Sequence, residues 1–171
     1  HMDGARLMNA VIGGGYTAAQ AASHVDSCWV DLSKGLSASV GAVLCGTAEF
    51  IEEARLLKHR LGGAMRQAGV IAAAGVYAFE HNVERLAEDH ENAKILEAGI
   101  ANIPGLELVF GPVETNIVFF DVSKTGKTAV FITAELERMG VRMSQYPDPT
   151  KIRAVTHLDV SRANCEKAVQ A

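Results

Sequence analysis

Trp29-Val30-Asp31-Leu32-Ser33-Lys34-Gly35-Leu36 runs an apolar strand directly into a lysine. Small residues surround that lysine: Ser33, Gly35, Ser37, Ala38, Ser39 and Gly41. A lone lysine in a loop is ordinarily solvated. A strand end among small residues is where an α/β sheet presents groups to a ligand. A lysine partly withdrawn from water and close to another cation gives up its proton readily, and the neutral amine is the nucleophile that forms a Schiff base.

Upstream, a short strand ends near Asp3, a helix covers roughly Thr17 to His24, and strands run near Ser27–Asp31 and Val40–Leu44. Downstream, Thr47 is placed to cap a helix with apolar residues at Phe50, Ile51, Ala54 and Leu57, closed by Gly62-Gly63. A second helix is expected over Met65 to Phe79. Asn82 is expected to cap a third, with Val83, Leu86, Ala87, Ala93 and Leu96 as its apolar stripe. Glu84, Arg85, Glu88, Asp89, Glu91 and Lys94 mark its wet side. After Pro104-Gly105 the pattern shortens. Leu106–Val109 and Asn116–Val122 read as strands, Thr128 to Met139 as a helix, and Val141–Tyr146 and Ile152–His157 as strands. Ser161 caps a last helix. The order β-β-α-β-β-α suits a small α+β lobe.

Composition bounds the function. The chain has 171 residues, 49% hydrophobic and 21% charged, which suits one domain or two small ones and argues against disorder. Sixteen basic and twenty acidic side chains give a net charge of −4, so nothing in the overall charge attracts nucleic acid. The apolar run Gly69 to Phe79 is too short to span a bilayer. Cys28, Cys45 and Cys165 form no C-x-x-C pair, and their number is odd. A disulfide framework or zinc ribbon is not expected, and a reducing compartment, the cytoplasm, fits better. The opening HMDGAR, charged where a signal peptide is apolar, is not expected to be one. It begins on His1, so either processing or a longer protein is implied.

Five further positions invite chemistry. Asp3 and Arg6 share HMDGAR, either as a surface ion pair or as a carboxylate facing a cationic ring nitrogen or a metal. Arg66 follows Gly62-Gly63, either as part of a plain helix break or close to a bound phosphate. Arg153 lies in the strand Ile152-Arg153-Ala154-Val155 and needs a carboxylate partner, from the protein or from a ligand. His157 ends that strand. There is no H-x-x-x-H pair, Walker loop or G-x-S-x-G elbow.

Together HMDGARLMNA (1–10), DLSKGL (31–36), ARLLKHRLGGAMRQAGVIAAAG (54–75), TNIVFFDV (115–122) and IRAVTHLDVS (152–161) resemble the low-specificity L-threonine aldolases. These are pyridoxal 5'-phosphate (PLP) enzymes of the aminotransferase-like fold type I. The segments occur in that family's order along nearly the whole chain. The resemblance implies an α/β protein: residues 1–81 as the C-terminal part of the PLP-binding large domain, and 82–171 as a small α+β C-terminal domain whose last helix is cut short. It implies a C-terminal half, without the N-terminal half that holds the phosphate loop and the ring-stacking side chain.

By the same resemblance Lys34 binds PLP covalently and is the catalytic residue. Asp3 pairs with the pyridine nitrogen. Arg6 lies near the cofactor's phenolic oxygen and the substrate carboxylate, and Arg153 binds that carboxylate. Arg66 reaches the phosphate of a neighbouring subunit's cofactor. The implied reaction cleaves 3-hydroxy amino acids to glycine and an aldehyde, in a homotetramer built as a dimer of dimers, with no metal, nucleic acid or membrane partner. Two alternatives stay open: another lyase of this fold, eliminating at the β-carbon, and a non-catalytic or oligomerisation lobe. The family's SKGLGAPVG becomes SKGLSASVG here, so Ser37 and Ser39 replace a glycine and a proline. Ala64 likewise replaces the usual third glycine.

Overall fold

A computed structural model describes residues 1–171. The chain divides into two compact units, His1–Leu86 and Ala87–Ala171.

The first unit is built on a three-stranded sheet of β1 (Met2–Gly4), β2 (Cys28–Asp31) and β3 (Ala42–Cys45), in that order. β1 and β2 are parallel, with Asp3 opposite Trp29, and β3 returns antiparallel to β2. Between β1 and β2 lie α1 (Leu7–Gly14) and α2 (Ala18–Ala22). The Thr17 hydroxyl caps α2 by accepting from the Gln20 N–H. Two longer helices follow, α3 (Ala48–Arg60) and α4 (Gly69–His81). Thr47 caps α3 as expected, its hydroxyl accepting from the Phe50 N–H. Gly62, at φ +80°, follows its end.

Side chains alternate across β2. Cys28 and Val30 are buried, and Trp29 and Asp31 are half-buried on the other face. Val30 joins Leu7, Leu32, Leu36, Ala38, Ala78 and Leu86 in one apolar core. Outside it much apolar surface is open to solvent. α3 buries no residue, and α4 buries only Gly75 and Ala78. Leu61 is 85% exposed and Val70 78%.

Two expectations are corrected here. α1 stands where no helix is expected, since Arg6 precedes it without a side-chain cap. Asn82 does not start a helix. It closes α4, and its buried side chain donates to the Leu36 carbonyl at 2.7 Å.

The second unit is an antiparallel sheet in the order β4 (Glu107–Leu108), β5 (Ile117–Asp121), β7 (Lys151–Val155), β6 (Ser144–Gln145). With it stand α5 (Leu86–Ala101), α6 (Ala129–Arg138) and α7 (Arg162–Gln170). From β4 onward, the element order is the β-β-α-β-β-α expected. Val118, Phe120 and Ile152 point inward to Ala93, Leu96, Ile100 and Cys165. Ser161 and Asn164 close a reciprocal capping box on α7. Asp89, expected on the wet side of α5, is fully buried, and His90 beside it is 4% exposed. The two fall three and four residues after Leu86, within the stripe that continues to Ala93 and Leu96, so the helical period carries them inward. The Thr156 hydroxyl donates to the Asp89 carbonyl at 2.6 Å, tying α5 to the segment after β7.

Candidate active site

The turn after β2 is organised by one carboxylate. Asp31 Oδ1 accepts from the Ser33 N–H at 2.7 Å, the Ser33 hydroxyl at 2.8 Å and the Lys34 N–H at 3.1 Å. Its Oδ2 stands 3.2 Å from Lys34 Nζ. Partial burial pushes the Asp31 carboxyl up, but the Ser33 hydroxyl and N–H and the Lys34 ammonium outweigh it and hold the group below its ordinary range. The loop then closes through the Ser37 N–H on the Lys34 carbonyl, 2.9 Å, and the Ala38 N–H on the Leu32 carbonyl, 2.8 Å.

Lys34 thus projects from a turn closed by hydrogen bonds. Its side chain is 37% exposed, and its ammonium lies 5.1 Å from the centre of the Trp29 ring. The charged group beside it is a carboxylate, because the Asp31 side chain turns back along its own loop.

Two glycines make this geometry possible. A Cβ on Gly35 would stand 2.6 Å from Asn9 Oδ1 and 3.0 Å from Leu86 Cδ2, so only glycine lets the loop lie on the buried Asn9. A Cβ on Gly4 would stand 2.0 Å from the Trp29 carbonyl oxygen. That close approach sets β1 against β2 and places Asp3 beside Trp29. Paired residues on neighbouring strands point to the same face. Asp3, Trp29 and Asp31 therefore share the face over which the Lys34 ammonium lies. Asp3 is exposed, and its Oδ1 accepts from the Ala5 N–H at 3.0 Å. Arg6 is half-buried at the start of α1. Arg66 is exposed in the turn before α4, two residues ahead of that helix's cap residue Ala68.

In the second unit Arg153 sits centrally on β7, between Phe119 of β5 and Ser144 of β6. Its Nε is buried and has no hydrogen-bond partner. It lines a cleft of about 460 Å³ with Ser144, His157, Asn164 and Lys167. Phe119 stacks edge-on against Phe110 and Tyr146, with ring centres 5.6 and 5.3 Å away. A buried guanidinium nitrogen without an acceptor is costly, and a carboxylate entering the cleft relieves that cost. His157 stands 3.7 Å from Asp159 Oδ2 at the cleft edge.

The comparisons with known proteins bear on this arrangement. The beta-eliminating lyase family model matches residues 1–125. The chain belongs to that family. It is 38% identical to low-specificity L-threonine aldolase 1 of Arabidopsis thaliana over 165 residues, which is 96% of this chain and 46% of that protein. It is 37% identical to the low specificity L-threonine aldolase of Escherichia coli (strain K12), covering 95% of this chain and 46% of that one. A solved structure from Listeria monocytogenes, provisionally assigned as an L-allo-threonine aldolase, superposes on 99% of this chain and 50% of its own at 24% identity, with a TM-score of 0.82. That likeness shows the fold, fold type I. The chain spans about half the length of the curated relatives it matches.

The sequence reading missed Trp29 and Asp31 as parts of the site. Both were legible as residues of the strand entering the lysine turn. Alternation puts them on one face, and an aspartate three residues before a lysine is placed for a turn and an ion pair together.

Proposed function

We propose that this chain carries the lysine-bearing part of a PLP-dependent carbon–carbon lyase. The substrates are 3-hydroxy amino acids, L-threonine and L-allo-threonine among them, and the products are glycine and an aldehyde. The observation that carries the reading is the face shared by Asp3 and Trp29, with the Lys34 ammonium lying over the indole. An amine and a carboxylate flanking one aromatic surface are the donor set a pyridine aldehyde needs. The relatives named above, similar along almost all of this chain, support the choice of reaction.

PLP, when bound, supplies an electron sink for the bond being broken. The residues of this chain hold and orient. Lys34 would offer the amine that holds the cofactor; released from Lys34 Nζ, the Asp31 carboxylate would still hold the turn through the Ser33 and Lys34 N–H groups. Asp3 would accept a hydrogen bond from the ring nitrogen and favour its protonated form, because an opposite charge favours the charged form. Arg6 serves the phenolic oxygen and the substrate carboxylate. Arg153 would take a substrate carboxylate in fork geometry, giving its buried Nε an acceptor. Arg66, exposed, serves the phosphate of a neighbouring subunit's cofactor in a dimer of dimers. Residues 1–81 belong to the cofactor domain and 82–171 to the small domain, and the enzyme works in the cytoplasm.

Kinetics on the complete enzyme test this. Lys34→Ala should remove the visible absorbance of covalently bound PLP and nearly all turnover. Arg153→Lys should keep PLP bound yet lower kcat/KM roughly 30- to 150-fold, the loss of about 2–3 kcal/mol from a charge-assisted fork. Glycine release at the native rate by Lys34→Ala would overturn the reading. Pyruvate and ammonia as products, in place of glycine and aldehyde, would establish β-elimination instead.

A further inference from the structure

We propose that Cys28 and Cys45 form a reversible disulfide across β2 and β3, a thiol-oxidation site that ties together the two ends of the segment carrying Asp31 and Lys34. The antiparallel register sets Cys28 directly opposite Cys45. Both are free thiols, Cys28 buried and Cys45 exposed. The same register continues to Leu32, whose N–H donates to the Gly41 carbonyl at 3.0 Å. Pairs alternate between hydrogen-bonded and open along such a ladder. Four pairs back from Leu32–Gly41, the Cys28–Cys45 pair is therefore of the hydrogen-bonded kind, with Cα atoms about 5.5 Å apart. A disulfide spans Cα separations of about 4.4–6.8 Å. The two thiols lie on the face of β2 away from Trp29 and Asp31, so the bond forms without entering the lysine site.

Exposure fixes the order of events, with a glutathione-type disulfide as the oxidant. The Cys45 thiolate attacks one sulfur of that disulfide. The S–S bond breaks, a mixed disulfide forms on Cys45, and one glutathione leaves as a thiolate that takes up a proton. The deprotonated Cys28 sulfur then attacks the Cys45 sulfur and expels the second glutathione, which is protonated in turn. Two protein thiols are oxidised by two electrons, and one external disulfide is reduced to two thiols. Slight desolvation of its sulfur and the neighbouring Cys28 thiol push the exposed Cys45 thiol up, so its thiolate is scarce at neutral pH and the reaction quickens as pH rises. Cys165, 1% exposed and without a neighbouring cysteine, is the internal control.

The test equilibrates the full chain in glutathione buffers of increasing oxidised share, quenches with acid, alkylates, and maps the cysteine peptides by mass. The Cys28 and Cys45 peptides should appear joined, with two hydrogens lost, while Cys165 remains alkylated. Tm should rise on oxidation and return when excess thiol is added, because the cross-link closes a loop in the unfolded chain. Cys28→Ser should leave glutathione stably attached to Cys45, since nothing remains to displace it. Cys45→Ser alters an exposed position and should leave Cys28 fully alkylated. Three outcomes would overturn the proposal: stable glutathione on Cys45 of the unaltered chain with Cys28 still alkylated, a Cys45–Cys45 bond between two copies, or no reaction of either thiol as pH is raised.

Discussion

Ser37 is the one non-glycine residue held at positive φ, +59°, in the turn that presents Lys34. A side chain there crowds the carbonyl that follows, at a cost of roughly 1–2 kcal/mol that glycine escapes. The Ser37 hydroxyl recovers little, with contacts of 3.5 and 3.4 Å to the Lys34 and Gly35 carbonyls. Ser37→Gly should therefore stabilise the protein by about 0.5–1 kcal/mol, after the greater freedom of glycine in the unfolded chain is counted. Thermal unfolding measures this, and a loss of stability would show that the hydroxyl holds the turn. The departure from the family's glycine is visible in the sequence, but its cost is not, because only the backbone angle shows that position 37 lies in the left-handed region.

Acid sensitivity also belongs to single residues. The Lys151 ammonium, followed by the Thr150 N–H and hydroxyl, holds the Asp148 carboxyl down at about 2. Asp121 is lowered as well, first by the Ser123 side chain and N–H. A carboxyl depressed in the folded state contributes stability that is full above its unfolded value near 3.8 and lost as pH falls toward 2. Asp148→Asn should flatten the stability profile between about pH 4 and 2 and leave its shape near neutrality unchanged. Urea unfolding across that range decides, and an acid limb of unaltered slope would remove Asp148 from the account.

At the scale of elements, β1 and β2 depend on one missing side chain. Gly4→Ala puts a methyl 2.0 Å from the Trp29 carbonyl, a backbone atom that cannot turn aside. The strands must separate, at a cost of about 2–3 kcal/mol or more, and Asp3 leaves its place beside Trp29. Reduced PLP absorbance together with a lower denaturation midpoint is the expected result, and an unchanged midpoint would mean the pairing tolerates the methyl group. Elements with end signals were the legible ones. Thr47, Thr128 and Ser161 each cap the helix expected after them. α1 has no such signal, and its run LMNAVIGG is apolar without a clear period, so only the packing of Leu7 and Asn9 reveals it as a helix. Asn82 misleads because an asparagine serves either end of a helix, and its place was settled by the distant Leu36 carbonyl. The site follows the same rule. Lys34 and Asp3 could be found by motif, whereas the alternation linking Asp3, Trp29 and Asp31 needed the strand register.

At the scale of the molecule, the first unit carries more apolar surface than its own core uses. α3 has the amphipathic spacing expected from Phe50, Ile51, Ala54 and Leu57, yet none of its residues is buried, and α4 is nearly free of charge with Val70, Val76 and Tyr77 all more than half exposed. Apolar surface left exposed on helices drives association. The 171-residue chain alone should bind a hydrophobic dye and sediment as concentration-dependent oligomers. Replacing Leu61 and Val70, 85% and 78% exposed, by lysine separates surface from core. Side chains that pack against nothing leave folding stability within about 0.5 kcal/mol when replaced, while two charges placed on an apolar face oppose association. The double variant should therefore keep its unfolding midpoint, bind less dye and sediment as smaller species. An unfolding free energy lowered by about 2 kcal/mol or more, on the order of a lost core contact, would show that these helices already bury Leu61 and Val70 within the chain, and the association would then need another source.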